Sequence, residues 1–116
     1  MARLRLYHNP NCSKSRGALD ILRERGAEFD VVDYLKEPLD QETLAHIAEL
    51  LPDPPEELIR KDRNFERLGI SPNRYKTIDA AIELLLEHPE LMQRPVLVAG
   101  DRALICRPSE KVLELL

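Results

Sequence analysis

Polar and apolar residues alternate along Arg3-Leu4-Arg5-Leu6-Tyr7, the period-two spacing of a half-buried β-strand. The alternation breaks at Asn9-Pro10-Asn11, a cluster of loop formers. From Ser13 the period changes: Ala18, Ile21 and Leu22 recur at helical spacing, and Gly26 supplies a C-terminal stop. Phe29 to Leu35, rich in Val and aromatic residues, reads as a second strand. Strand, helix and strand within about 35 residues predict a parallel βαβ unit with a right-handed crossover.

The middle of the chain reads as helical. Asp40 is placed to cap a helix carrying Leu44, Ile47, Ala48 and Leu51, with Leu39 and Leu44 spaced as a hydrophobic staple. Asp53-Pro54-Pro55-Glu56 resembles a capped helix start with Pro in the first turn, leading into Leu58-Ile59-Arg60. Ser71-Pro72-Asn73 is a turn, and Thr77 caps a helix with Ile78, Ala81, Ile82 and Leu85 on one face, ending near His88-Pro89. Val96-Leu97-Val98 is a short apolar strand, Gly100-Asp101 a hairpin turn, and Ala103 to Cys106 the return strand. Pro108-Ser109-Glu110 opens a last helix with Val112, Leu113 and Leu116. The predicted order is βα, β, several helices, then ββα, an α/β arrangement.

Composition narrows the functional classes. A chain of 116 residues is of single-domain size, so one domain spanning 1–116 is expected. Seventeen basic and 21 acidic side chains leave a net charge of −4, which argues against a protein built to coat nucleic acid. Aromatic residues make up 4% and Trp is absent, so a base-stacking platform is disfavoured too. No apolar run approaches the roughly 18 residues of a membrane span. Met1 to Leu6 has no signal-peptide pattern. A cytoplasmic protein without nucleic-acid or membrane partners is the expectation.

Cys12 and Cys106 are the two cysteines, too few and too far apart for a zinc site or a disulfide framework. Cys12 stands directly before the first predicted helix, where unpaired N–H groups and the positive end of the helix dipole favour a thiolate or a bound oxyanion. Lys14 and Arg16 add positive charge, and Ser13 and Ser15 add donors. The plainer alternative is a small buried hydrophobe at a helix start, which the polar neighbours disfavour. Ser15 makes the motif Cys-x-x-Ser, so no local dithiol couple exists. Arg outnumbers Lys 12 to 5, and Arg60, Arg94 and Arg107 each sit against apolar segments. A planar guanidinium suits a tetrahedral oxyanion, although spacing alone leaves each of the three, like His8, open to an ordinary surface or structural role.

His8-Asn9-Pro10 with Cys12, Ser15 and Arg16 resembles the opening motif of the glutaredoxin-coupled arsenate reductases, in a shorter branch reading Cys12-Ser13-Lys14-Ser15-Arg16. The likeness continues through Leu58-Ile59-Arg60-Lys61, His88-Pro89, Arg94-Pro95 and Cys106-Arg107-Pro108-Ser109-Glu110. It implies a thioredoxin-like fold, a mixed four-stranded sheet with a helical insertion between strands 2 and 3 at about residues 39–92. It implies Cys12 as catalytic nucleophile, Arg60, Arg94 and Arg107 as oxyanion ligands, and His8, Ser15 and Arg16 as stabilisers of the thiolate. Pro95 takes the place of the cis-proline of thioredoxin folds. The implied substrate is arsenate or a similar oxyanion. Glutathione is then the cosubstrate and glutaredoxin the partner, with no bound cofactor and no metal. Cys106 reads as an inward-packing strand residue. The rival expectation is an Spx-like regulator that binds the RNA polymerase α C-terminal domain. Such proteins usually carry a Cys-x-x-Cys switch, which Ser15 removes, and have no need of all three arginines.

Overall fold

The computed structural model describes residues 4–116, so Arg3 of the expected first strand lies outside the described residues. Strand β1 (Leu4–His8) runs parallel to β2 (Phe29–Asp33), from Leu4 opposite Phe29 to His8 opposite Asp33. It runs antiparallel to β3 (Val96–Ala99), with Leu6 opposite Leu97 and Tyr7 opposite Val96. A two-residue turn at Gly100-Asp101 returns β3 into β4 (Arg102–Ile105). The sheet is mixed, in the order β2-β1-β3-β4.

Alternation along the central strands decides what covers each face. Leu6 and Leu97 point to one side, where Ala18 and Leu22 of helix α1 (Ser13–Glu24), Cys106 and Val112 complete a cluster. Tyr7 and Val96 point to the other, onto Leu44 and Ile47 of α2 (Gln41–Leu50) and Ala81, Ile82, Leu84 and Leu85 of α4 (Ile78–Glu87). Each face buries an apolar layer, which is the arrangement that lets a small α/β sheet exclude water on both sides. α1 ends where expected: Gly26 takes a left-handed conformation (φ 67°), which lets Ala27 N–H bond back to Leu22 C=O at 3.1 Å.

Several expectations need correction. β2 stops at Asp33 rather than Leu35, because Asp33 folds the chain into a turn. Its carboxylate accepts Leu35 N–H at 3.1 Å, and its carbonyl accepts Lys36 and Glu37 N–H. Asp53 caps nothing: a 3₁₀ turn, Pro55–Leu58, starts after Pro54 without a side-chain cap. Arg60 is not helical. Ile59 and Met92 form an antiparallel bridge, with Arg60 N–H bonded to Leu91 C=O (2.6 Å) and Gln93 N–H to Leu58 C=O (2.7 Å). A short helix, α3 (Arg63–Leu68), follows that was not foreseen, capped by Asp62 on Phe65 N–H. Ile78 of α4 is exposed and Leu84 buried. The last segment, Ser109–Leu115, is a 3₁₀ helix that buries Val112 and leaves Leu113 and Leu116 outside. Asp40 and Thr77 do cap α2 and α4, on Thr43 and Ala80 N–H.

Candidate active site

Cys12 is the N-cap of α1, reached from the end of β1 by the three-residue stretch Asn9-Pro10-Asn11. Its backbone is pinned at both ends, with its N–H on Asn9 C=O and its C=O accepting Arg16 N–H, each at 3.0 Å. The side chain is 8% exposed. Burial pushes the thiol's acidity the wrong way for a nucleophile. The Ser15 N–H, the Arg94 guanidinium, the Lys14 N–H and the Arg107 guanidinium outweigh it and bring the pKa down to about 7.

The arginines come from segments distant in sequence from Cys12. Arg107 follows β4 and carries Nη1 to 3.9 Å from Cys12 Sγ, while the same nitrogen donates to Arg94 C=O at 3.0 Å. Arg94 is anchored through Nη1 on the carbonyls of Glu90 (3.1 Å) and Met92 (3.3 Å). Its Nε is buried with no partner. A buried guanidinium donor left unpaired costs stability unless a ligand takes it. Arg60 is tied through Nε to Asp62 Oδ2 at 3.2 Å. Both Arg94-Pro95 and Arg107-Pro108 are cis peptides.

The three arginines lie far apart in sequence, and the Ile59–Met92 bridge is what assembles two of them. It places Leu58-Ile59-Arg60 beside Leu91-Met92-Gln93, one residue before Arg94. Their shared field registers on two neighbours. Asp62 is held below the usual carboxylate range: burial opposes, and Phe65 N–H, Arg60 and Arg94 prevail. The phenol of Tyr34 is raised by burial while feeling Arg94, Cys12 and Arg60 together. Sequence reasoning passed over Tyr34 and Asp62. For Asp62 a signal existed, its N-cap spacing ahead of Phe65. For Tyr34, read as part of a strand, none did.

His8, Ser15 and Arg16 divide their roles. His8 Nδ1 meets Ser15 Oγ at 2.6 Å rather than the sulfur, and Asn9 N–H donates to the same hydroxyl at 3.0 Å. Burial lowers the pKa of His8, with Arg23 and Arg16 adding to the effect and Asp33 opposing it. The imidazole is therefore neutral at pH 7. Ser15 thus touches the thiol through its backbone N–H, and its side chain braces the preceding loop. Arg16 donates to Pro10 C=O at 2.9 Å. Cys106, fully buried, has its pKa pushed up to about 12 by burial. No group of three or more His, Cys, Asp or Glu among the described residues could hold a metal ion.

The arrangement is a thiolate-competent cysteine at a helix start, faced by guanidinium groups on a mixed sheet of thioredoxin-like fold. Residues 7–115 match the ArsC family, and the chain belongs to it. The chain is 40% identical over 114 residues to the "Uncharacterized protein YfgD" of Escherichia coli K12, covering 97% of this chain and 95% of that protein. It is 37% identical to an arsenate reductase of Neisseria meningitidis serogroup B, with 97% of each covered. Among solved structures, an arsenate reductase from Vibrio cholerae superposes with a TM-score of 0.85 at 33% identity, over 99% of this chain and 98% of that one. No helix of the described residues is long and apolar enough to cross a membrane.

Proposed function

We propose that the chain reduces arsenate to arsenite with glutathione as reductant and glutaredoxin as the protein that regenerates it, in the cytoplasm. The observation that carries this reading is the pairing of an acidified Cys12 with the buried, unpartnered Nε of Arg94 and the Arg107 nitrogen 3.9 Å from the sulfur. Arg60, Arg94 and Arg107 hold the oxygens of the oxyanion, and Cys12 Sγ attacks arsenic. The S–As bond forms as one oxygen leaves as water, and the arginines stabilise the charge that builds on the oxygens. Glutathione then attacks Cys12 Sγ, and the S–As electron pair stays with arsenic. Arsenic goes from the +5 to the +3 state, and a Cys12–glutathione disulfide remains for glutaredoxin to reduce. Cys106 supplies no resolving thiol, since it is enclosed among Leu6, Leu97 and Val112.

The test is arsenite production with glutathione, glutaredoxin and NADPH-linked recycling. We expect turnover that needs all three, and a glutathione-bearing Cys12 by mass spectrometry when glutaredoxin is omitted. A Cys12–Cys106 disulfide with thioredoxin-supported activity would overturn the thiol assignment. Saturable binding to the polymerase α C-terminal domain without reductase activity would favour the regulator.

A further inference from the structure

Ser109 lies outside the catalytic roles above, yet it is buried and makes one of the shortest side-chain hydrogen bonds in the structure. Its hydroxyl donates to Lys14 C=O at 2.6 Å, joining the C-terminal 3₁₀ helix to the first turn of α1. Lys14 C=O and Ser15 N–H belong to the same peptide group. That N–H is the strongest of the groups favouring the Cys12 anion. Arg107, two residues before Ser109, carries Nη1 to 3.9 Å from the same Sγ.

The close approach depends on a glycine. A Cβ on Gly17 would lie 2.8 Å from Ser109 Oγ and 3.3 Å from its Cβ. Glycine weakens a helix interior, so its place inside α1 asks for a reason, and room for the Ser109 hydroxyl is one.

We propose that Ser109 is a positioning residue for Cys12, acting across the Lys14–Ser15 peptide to aim and strengthen the Ser15 N–H as a donor to the sulfur, with Gly17 providing the space. The physical basis is hydrogen-bond cooperativity. A carbonyl that accepts a hydrogen bond polarises its amide, and the N–H of that amide becomes the better donor. The hydroxyl also fixes the peptide plane, so the N–H keeps its direction as α1 flexes.

The inference concerns the acidity of Cys12 and holds whichever oxyanion the site takes, so it is tested without turnover. The midpoint of iodoacetamide reactivity at Cys12 is measured against pH in the full chain, with Cys106 in the same sample reporting on packing. In S109A we expect the midpoint to rise by roughly half a pH unit, about threefold less thiolate below it. G17A, which keeps the hydroxyl but displaces it, should shift the midpoint in the same direction. G17A/S109A should move it no further than S109A alone, because both changes remove one hydrogen bond. An unchanged midpoint in S109A overturns the proposal. So does a shift seen in both single variants only when Cys106 also becomes reactive, since that marks lost packing.

Discussion

Cys12 and Cys106 are both buried, yet the same thiol chemistry ends about five pKa units apart, near 7 and near 12. Burial raises both. Around Cys106 stand Leu6, Leu97 and Val112, and its sulfur meets the Leu104 carbonyl at 3.6 Å and a backbone hydrogen bond from Leu97 that is too weak to offset burial. Around Cys12 stand the opening N–H groups of a helix and two guanidinium groups. Low polarity amplifies whatever charge faces a buried group, so the same seclusion that silences one sulfur sharpens the response of the other to its donors. Reactivity is therefore a property of the pocket's dipoles and cations rather than of exposure.

The contrast is broken most severely by exchanging which thiol remains. C12S should lose arsenate reduction by roughly ten-thousandfold or more, the scale of removing a nucleophile, while C106S keeps near-wild-type turnover in the same coupled assay. Next come the cations that separate the two environments. Lys at position 60, 94 or 107 keeps the charge but loses the planar fork, and should cost roughly ten- to a thousandfold in kcat/KM. Lys at 63, 67 or 102 should cost nothing measurable, and equal losses in both sets would show that net charge alone matters.

Stability against pH sharpens the contrast further, because the two thiols act with opposite sign. The depressed Cys12 contributes stability that is complete above the unfolded thiol value of about 8.5 and is lost as pH falls through about 7. The raised Cys106 contributes stability that is complete below about 8.5 and is lost as pH climbs toward about 12. Denaturant melts should show a rising limb absent from C12S and a falling limb absent from C106A. Each limb slopes by at most about 1.4 kcal/mol per pH unit. A smaller effect is expected at Asp62, where D62N keeps an acceptor for Phe65 N–H but loosens Arg60. A severalfold rise in KM with kcat little changed would identify Asp62 as an anchor of ground-state binding.

Much of this was legible because its causes are local. The period-two first strand, the short apolar third strand, the Asp40 and Thr77 caps and the Gly26 stop depend on neighbours within a turn or two, and each lies within reach of a pattern. Helix α3 was missed because its six residues bury nothing fully, so no apolar face announced it, and its only marks were Asp62 and a left-handed Gly69. Cys12 was visible as a helix-start thiol. The arginines stood out only as cations set against apolar segments, and the resemblance alone gave them a common role. What joins Arg60 to Arg94 is backbone pairing between Ile59 and Met92, a contact across more than thirty residues that no window of sequence contains. His8 was placed beside the thiol by resemblance, and its bond to Ser15 is decided by how the loop folds over α1.

That bridge has a consequence for how the chain tolerates change. Ile59 and Met92 close a loop holding α3 and α4, and the loop leaves and returns at the arginine-bearing segments. Once a loop is tied at its neck, lengthening it costs little, about 0.6 kcal/mol for each doubling, and moves nothing outside the knot. The turn after Gly69 is therefore a permissive address for a short Gly-Ser insertion, one expected to leave kcat/KM within twofold of the parent. Pairing at the neck insulates the chemistry from architectural drift beyond α3, so the turn after Gly69 is free to vary in length while Asp62 keeps its hold on Arg60 and the cations keep their places.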